Sequence, residues 1–246
     1  MTKLLSILTL GILLINTNPI TELKINNPPT KEEAKKLNRS HNEYEIFLND
    51  KGDVEYRDYD YKNIKGTQLP FKITPKSGKQ VNLKIKNGWL VGFDVGEFGG
   101  SLFWFNDKGT EHKRITSGNI KNLFEINGEI YATEGLAHMT TSRGQILKVK
   151  KEYDKWTVEK KVDLPNAPYS TTLTKDNEFL IVTSKGLIKV NKDFEIETLV
   201  EEGFWRYYLY PNSILIKGQD IYIGMRGGIL KTRMNKIENQ EWLTKQ

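Results

Sequence analysis

Leu173–Val190 reads LTKDNEFLIVTSKGLIKV: a polar turn, an apolar run, a glycine and a second apolar run. Asp176-Asn177 tolerates the left-handed backbone that turns need, and Phe179–Val182 supplies aromatic and β-branched strand formers. Gly186 then marks a bend ahead of Leu187–Val190. The same order recurs in LKIKNGWLVGFDVGEFGGSLFWF from Leu83, LFEINGEIYATEGLAHMTTSRGQILKV from Leu123 and ILIKGQDIYIGMRGGILKT from Ile214. Starts at 83, 123, 173 and 214 lie 40, 50 and 41 residues apart. The turns fall at Asn87-Gly88, Asn127-Gly128 and Gly218-Gln219-Asp220, and the later glycines are Gly100, Gly144 and Gly228. Units of this size cannot bury a sheet face alone, so they must stack on neighbours. Their spacing is near that of four-stranded propeller blades, in which radial stacking also shields strand edges. The expectation is an all-β chain, a β-propeller or propeller-like fold with four to five or more blades, after an N-terminal signal segment and a short helix.

The units are taken as Leu83–Thr116, Leu123–Val162, Leu173–Val200 and Ile214–Leu243. Ahead of them, Tyr44–Leu48 and Val54–Tyr59 alternate around Asn49-Asp50-Lys51-Gly52, a hairpin that forms a partial first blade. Leu69–Thr74 and Val81–Ile85 alternate around a turn at 75–78. Thr172–Val190 resembles the short repeat of sensor-type β-propellers, with an acidic turn, an aromatic strand, a Thr, and Gly-Leu before the next strand. Ile214–Thr232 is similar but looser. The resemblance implies the fold and no activity, because propellers host enzymes, binders and scaffolds alike.

Composition narrows the class. With 246 residues, 37% hydrophobic and 28% charged, the chain is long enough for one folded repeat domain. A net charge of +6 arises from 37 basic and 31 acidic residues that alternate along strands, a pattern unlike a clustered nucleic-acid footprint. The absence of cysteine excludes disulfides, thiolate catalysis and thiolate metal ligands. Lys3 followed by the uncharged run Leu4–Ile15 reads as a signal peptide or membrane tether over residues 1–18, too short for the roughly 18 apolar residues of a membrane span. Residues 19–43 read as a linker carrying a solvated helix, Lys31–Asn38, capped by Thr30 and Glu33, and 44–246 as the propeller-like domain. The location implied is secreted or periplasmic, with contact to membrane only through an uncleaved N-terminal segment.

In a propeller, polar groups at equivalent strand ends face the central channel. The repeat register puts Asp94 and Glu97, Glu134 and His138, Thr183 and Ser184, and Met225 and Arg226 at that place. Asp94 and Glu97, in the glycine-rich DVGEFGG, are either a paired acid and base or backbone-bonded members of a bulged hairpin. His138 is either a general base or a hydrogen-bonded structural residue, and His41 and His112 lie on polar stretches. FWRYYLY over 204–210, read as a strand, puts Phe204, Arg206, Tyr208 and Tyr210 on one face and Trp205, Tyr207 and Leu209 on the other. The candidate catalytic residues are Asp94, Glu97 and His138; the candidate ligand-binding residues are Glu134, Arg143, Trp205, Arg206, Tyr208 and Arg226. Should Arg143, Arg206 and Arg226 converge on one channel mouth, the ligand is a carboxylate, a phosphate or an acidic protein surface. The leading reading is an exported binding or scaffold protein for a protein partner or small anionic ligand, with no cofactor, metal or nucleic acid implied. The alternative is a secreted hydrolase or lyase acting on a carbohydrate or small ester through Asp94, Glu97 and His138.

Overall fold

The computed structural model describes residues 17–60, 64–73 and 78–245. Five sheets make five blades of a propeller. The expected partial blade is the first, with Tyr44–Leu48 innermost, Val54–Asp58 next and Asn18–Pro19 outermost. The second runs outward through Lys79–Ile85, Gly88–Asp94, Gly100–Phe105 and His112–Ser117, with a two-residue strand, Lys65–Gly66, paired on the axis side of Lys79–Ile85. The third is Ile120–Ile126, Glu129–His138, Thr141–Glu152 and Lys155–Leu164, and the fourth Pro168–Leu173, Phe179–Thr183, Leu187–Val190 and Ile196–Val200. The fifth is Ser213–Lys217, Asp220–Met225, Gly228–Arg233 and Lys236–Thr244, edged by Lys24–Asn26.

The four repeat units are therefore four blades, and their turns close hairpins as expected. The repeated pattern located the inner strands of each blade but did not read the outermost one as a strand, although the unit bounds span most of it, because outer strands such as His112–Ser117 are mainly polar and half or fully exposed.

Burial explains the ring. The middle strands bury on both faces: Gly88–Asp94 is buried throughout, as is Phe179–Thr183. Apolar clusters join consecutive blades, for example Leu90, Leu102 and Ile120, or Tyr131, Ile146, Phe179 and Ile181. Close approach fixes glycine at two seams. A Cβ on Gly92 would lie 2.5 Å from Ile120 Cγ2, and one on Gly224 would lie 2.4 Å from the carbonyl oxygen of Tyr44.

Three expectations change. Residues 19–43 are not only a linker: Lys24–Asn26 pairs with the last strand, Ile25 opposite Leu243, while Asn18–Pro19 pairs with Val54–Asp58. One short segment thus edges both the first and the last blade, where the ring closes. The helix, Lys31–Leu37, has the expected capping box, with the Glu33 carboxylate accepting from the Thr30 amide at 2.8 Å. It is docked, however, and not a solvated spacer: Ala34 is fully buried and Leu37 packs against the core of the fifth blade. Leu69–Ile73 is not a strand, and its apolar side chains pack on Trp89, Phe93 and Phe105 instead. The run Leu4–Ile15 lies outside the described residues.

Candidate functional site

Each innermost strand pairs with the next one so that one end of the sheet gathers around the axis. Lys79 faces Asp94, Ile120 faces Glu134, Pro168 faces Thr183 and Ser213 faces Gly224. The strand ends singled out from the repeats are thus structurally equivalent. At this end a cavity of about 670 Å³ opens, lined from all five blades, among them by Glu43, Tyr59, Lys79, Asp94, Lys121, Tyr169, Asn212 and Arg226.

The cavity is cationic. Among the described residues, Lys65, Lys79, Lys121 and Arg226 face it against two carboxylates, Glu43 and Asp94. Asp94 is held on both sides: one oxygen accepts from the Gly96 amide at 3.1 Å, the other pairs with Lys121 Nζ at 2.6 Å. Burial lowers the pKa of Lys121, a loss the Asp94 charge opposes without cancelling. Arg226 donates from Nε to Glu43 at 2.8 Å and from Nη1 to the carbonyl and side-chain oxygens of Asn38 at 2.9 and 2.8 Å, and its guanidinium lies 5.0 Å from the Tyr210 ring. The docked helix, whose C-cap is Asn38, thereby positions a cavity cation. Exposed Lys79 lies over Tyr59, 5.1 Å from the ring centre.

Two groups came to light only with the structure. Lys65 Nζ reaches the carbonyl oxygen of Asn212 at 2.7 Å, and desolvation, helped by Lys79, depresses its pKa to about 8. Asn212 itself is buried, and its side-chain NH₂ has no acceptor among the described residues. Burial raises the Tyr59 hydroxyl, and burial followed by the neighbouring Tyr210 pushes Tyr169 up to about 12, so both remain protonated donors at neutral pH. No three His, Asp or Glu side chains gather to hold a metal among the described residues.

The remaining candidates are dispersed. Glu97 pairs with His138 Nε2 at 2.6 Å, both 45% exposed, and neither lines the cavity. Glu134 is buried beneath the rim, where it accepts from the Asn119 amide, Gln145 and Arg143 at 3.2, 2.9 and 3.2 Å. Asn119 in turn clamps the glycine-rich loop, donating to Gly96 O at 2.8 Å and accepting from Val95 N at 3.1 Å. Arg143 is thus the outer member of a rim network, carried on the strand Thr141–Glu152. Phe204–Tyr210 is no strand: it is a run of turns with left-handed backbone at Tyr207 and Tyr210. Its faces therefore do not alternate. Trp205 is 1% exposed and donates its indole N–H to Thr183 O, Tyr208 packs on that core, and Arg206 pairs outward with Glu202. Met225 is also core, while His41 is exposed, as its polar stretch suggested, and lines the cavity. The three arginines do not converge; Arg226 alone of them lines the cavity.

No known protein family matches this chain, and no curated protein matches it. Solved structures similar to it include virginiamycin B lyase from Staphylococcus aureus, at 16% identity and a TM-score of 0.48 over 91% of this chain and 74% of that one. Another is the extracellular domain of a putative one-component system from B. thetaiotaomicron, at 16% identity and 0.44 over 80% of this chain but only 27% of that one. A gluconolactonase from Xanthomonas campestris aligns at 8% identity and 0.44, over 80% of this chain and 64% of that one. At these identities and scores no residue role passes from them to this chain.

Proposed function

We propose that this chain is an exported binding module that holds a small anion in its axial cavity. The observation that carries the reading is the excess of cations among the described residues that line the cavity, four against two carboxylates. A carboxylate or phosphate meets that excess, since it neutralises charge and accepts hydrogen bonds from the cations. The export part rests on the Lys3 and Leu4–Ile15 pattern. A leader over residues 1–18 would take Asn18, half of the edge strand of the first blade, with it, so a cleavage that keeps that strand falls ahead of Asn18.

The hydrolase or lyase alternative needs Asp94, Glu97 and His138 around one substrate. Asp94 faces the cavity, whereas Glu97 and His138 bond to each other outside its lining, and that separation favours binding.

Calorimetric titration with succinate and with inorganic phosphate tests the proposal. At least one is expected to bind, and Lys79→Glu, which alters an exposed mouth cation, should weaken it by about tenfold or more, roughly 1.4 kcal/mol, without shifting the melting temperature of the free protein. No heat with either anion, or binding indifferent to Lys79→Glu, overturns it.

A further inference from the structure

Among the cavity cations, Lys65 differs in its company. Arg226 is matched by Glu43 and Lys121 by Asp94, and Lys79 lies exposed over Tyr59, but Lys65 is set inward with no ion pair and only a neutral backbone carbonyl as acceptor among the described residues. Its strand holds it in place: Lys65–Gly66 pairs in parallel with Val81–Asn82 on the axis side of the second blade, which sets the amine inside the ring. The depressed pKa leaves an appreciable share of this amine neutral between pH 7 and 8, and only the neutral amine carries a nucleophilic lone pair. On the same cavity wall, exposed Lys79 supplies a cation for a carboxylate.

We propose that Lys65 is a covalent capture site for small acids that also carry an aldehyde or ketone. The inference rests on the anion-binding reading of the cavity and adds a second functional group to the ligand. The Lys65 Nζ lone pair bonds to the carbonyl carbon while the C=O π pair moves to oxygen, which takes up a proton. The nitrogen loses a proton to solvent, giving a neutral carbinolamine. Protonation of its hydroxyl and departure of water then form the C=N bond of a protonated imine, which releases its N–H proton to solvent to give the neutral imine. One water is released, no electrons are gained or lost, and no oxidant or reductant is needed.

The test is reductive trapping of the full chain with glyoxylate and cyanoborohydride, read by peptide mass mapping. Lys65 is expected to be labelled about tenfold or more faster than other lysines because the carboxylate is held beside it, and excess succinate should protect it. Labelling of Lys65 should accelerate as pH rises toward 8, and Lys65→Arg should abolish the fast phase. Acetaldehyde, which lacks the carboxylate, should show no such preference. Glyoxylate label spread over surface lysines with Lys65 no faster overturns the inference, as does fast labelling that succinate leaves untouched. Succinate heat without Lys65 labelling removes the capture step and leaves anion binding standing; absence of both removes both.

Discussion

Lys121 and Asp94 lie 2.6 Å apart at the axis with side chains 12% and 9% exposed, whereas Lys160 and Asp163 lie 2.8 Å apart on the outermost strand of the third blade, 53% and 70% exposed. Residue types and distances almost coincide; the surroundings do not. Near the axis each charge has lost most of its water and depends on its partner, while at the outer edge water and salt screen both charges whether or not they meet. Radial position, more than pairing geometry, decides what an ion pair does in this ring. The innermost ends hold charges that are costly to leave alone, and such places accommodate ligands. The outer strands use the same charges for solubility and to guard strand edges.

Breaking the inner pair should produce the largest effect. Asp94→Leu leaves Lys121 without its counter-charge and is expected to lower the unfolding free energy by about 3 kcal/mol in urea titration. Asp94→Leu combined with Lys121→Met should recover most of that loss. If the single variant loses less than about 1 kcal/mol, the axis is no drier than the rim and the contrast fails. Next in size is Gly92→Ala, whose methyl would enter the seam between the second and third blades against Ile120 and Val81, at an expected cost of about 1–3 kcal/mol.

Lys65→Met sharpens the contrast through pH. The folded pKa of Lys65 is depressed to about 8, below the ordinary lysine value, so the unfolded chain holds this proton more tightly. Charged Lys65 therefore penalises folding fully below pH 8, and the penalty fades as pH climbs toward about 10.5. Lys65→Met should melt higher than the parent at pH 7, and the gap should close between pH 8 and 10.5. A gap constant across that window would mean that the amine is well hydrated.

How much of this was legible in the chain follows the same radial logic. Apolar runs and turn residues marked the hairpins from Leu83 onward, because middle strands such as Phe179–Thr183 are buried on both faces and the turns between them need Asn, Asp or Gly. Register then placed Asp94 and Arg226 at equivalent ends, and both line the cavity. Lys65 left no trace, since a two-residue parallel strand has no periodicity to display. Asn18–Pro19 and Lys24–Asn26 were invisible for the same reason; their place comes from ring closure, a long-range event. Phe204–Tyr210 misled in the opposite direction. Its aromatic residues favour strands, but Trp205 is drawn into the core beneath Thr183 and the backbone turns to allow it, which sends Arg206 to the surface. Side-chain composition gave the density of aromatics there, and tertiary packing gave their direction.

The smallest expected effect closes the comparison from the outer side. Lys160→Met removes half of a pair whose geometry nearly matches that of Lys121 and Asp94, yet its partner Asp163 stays in water. Denaturant titration should place the variant within about 0.5 kcal/mol of the parent, and raising the salt concentration should not alter that difference measurably. A loss approaching that of Asp94→Leu would show that the outer strand depends on its ion pairs to stay paired with Thr141–Glu152. The charge excess at the axis would then no longer single out the cavity as the place where this ring leaves electrostatic work for a ligand to finish.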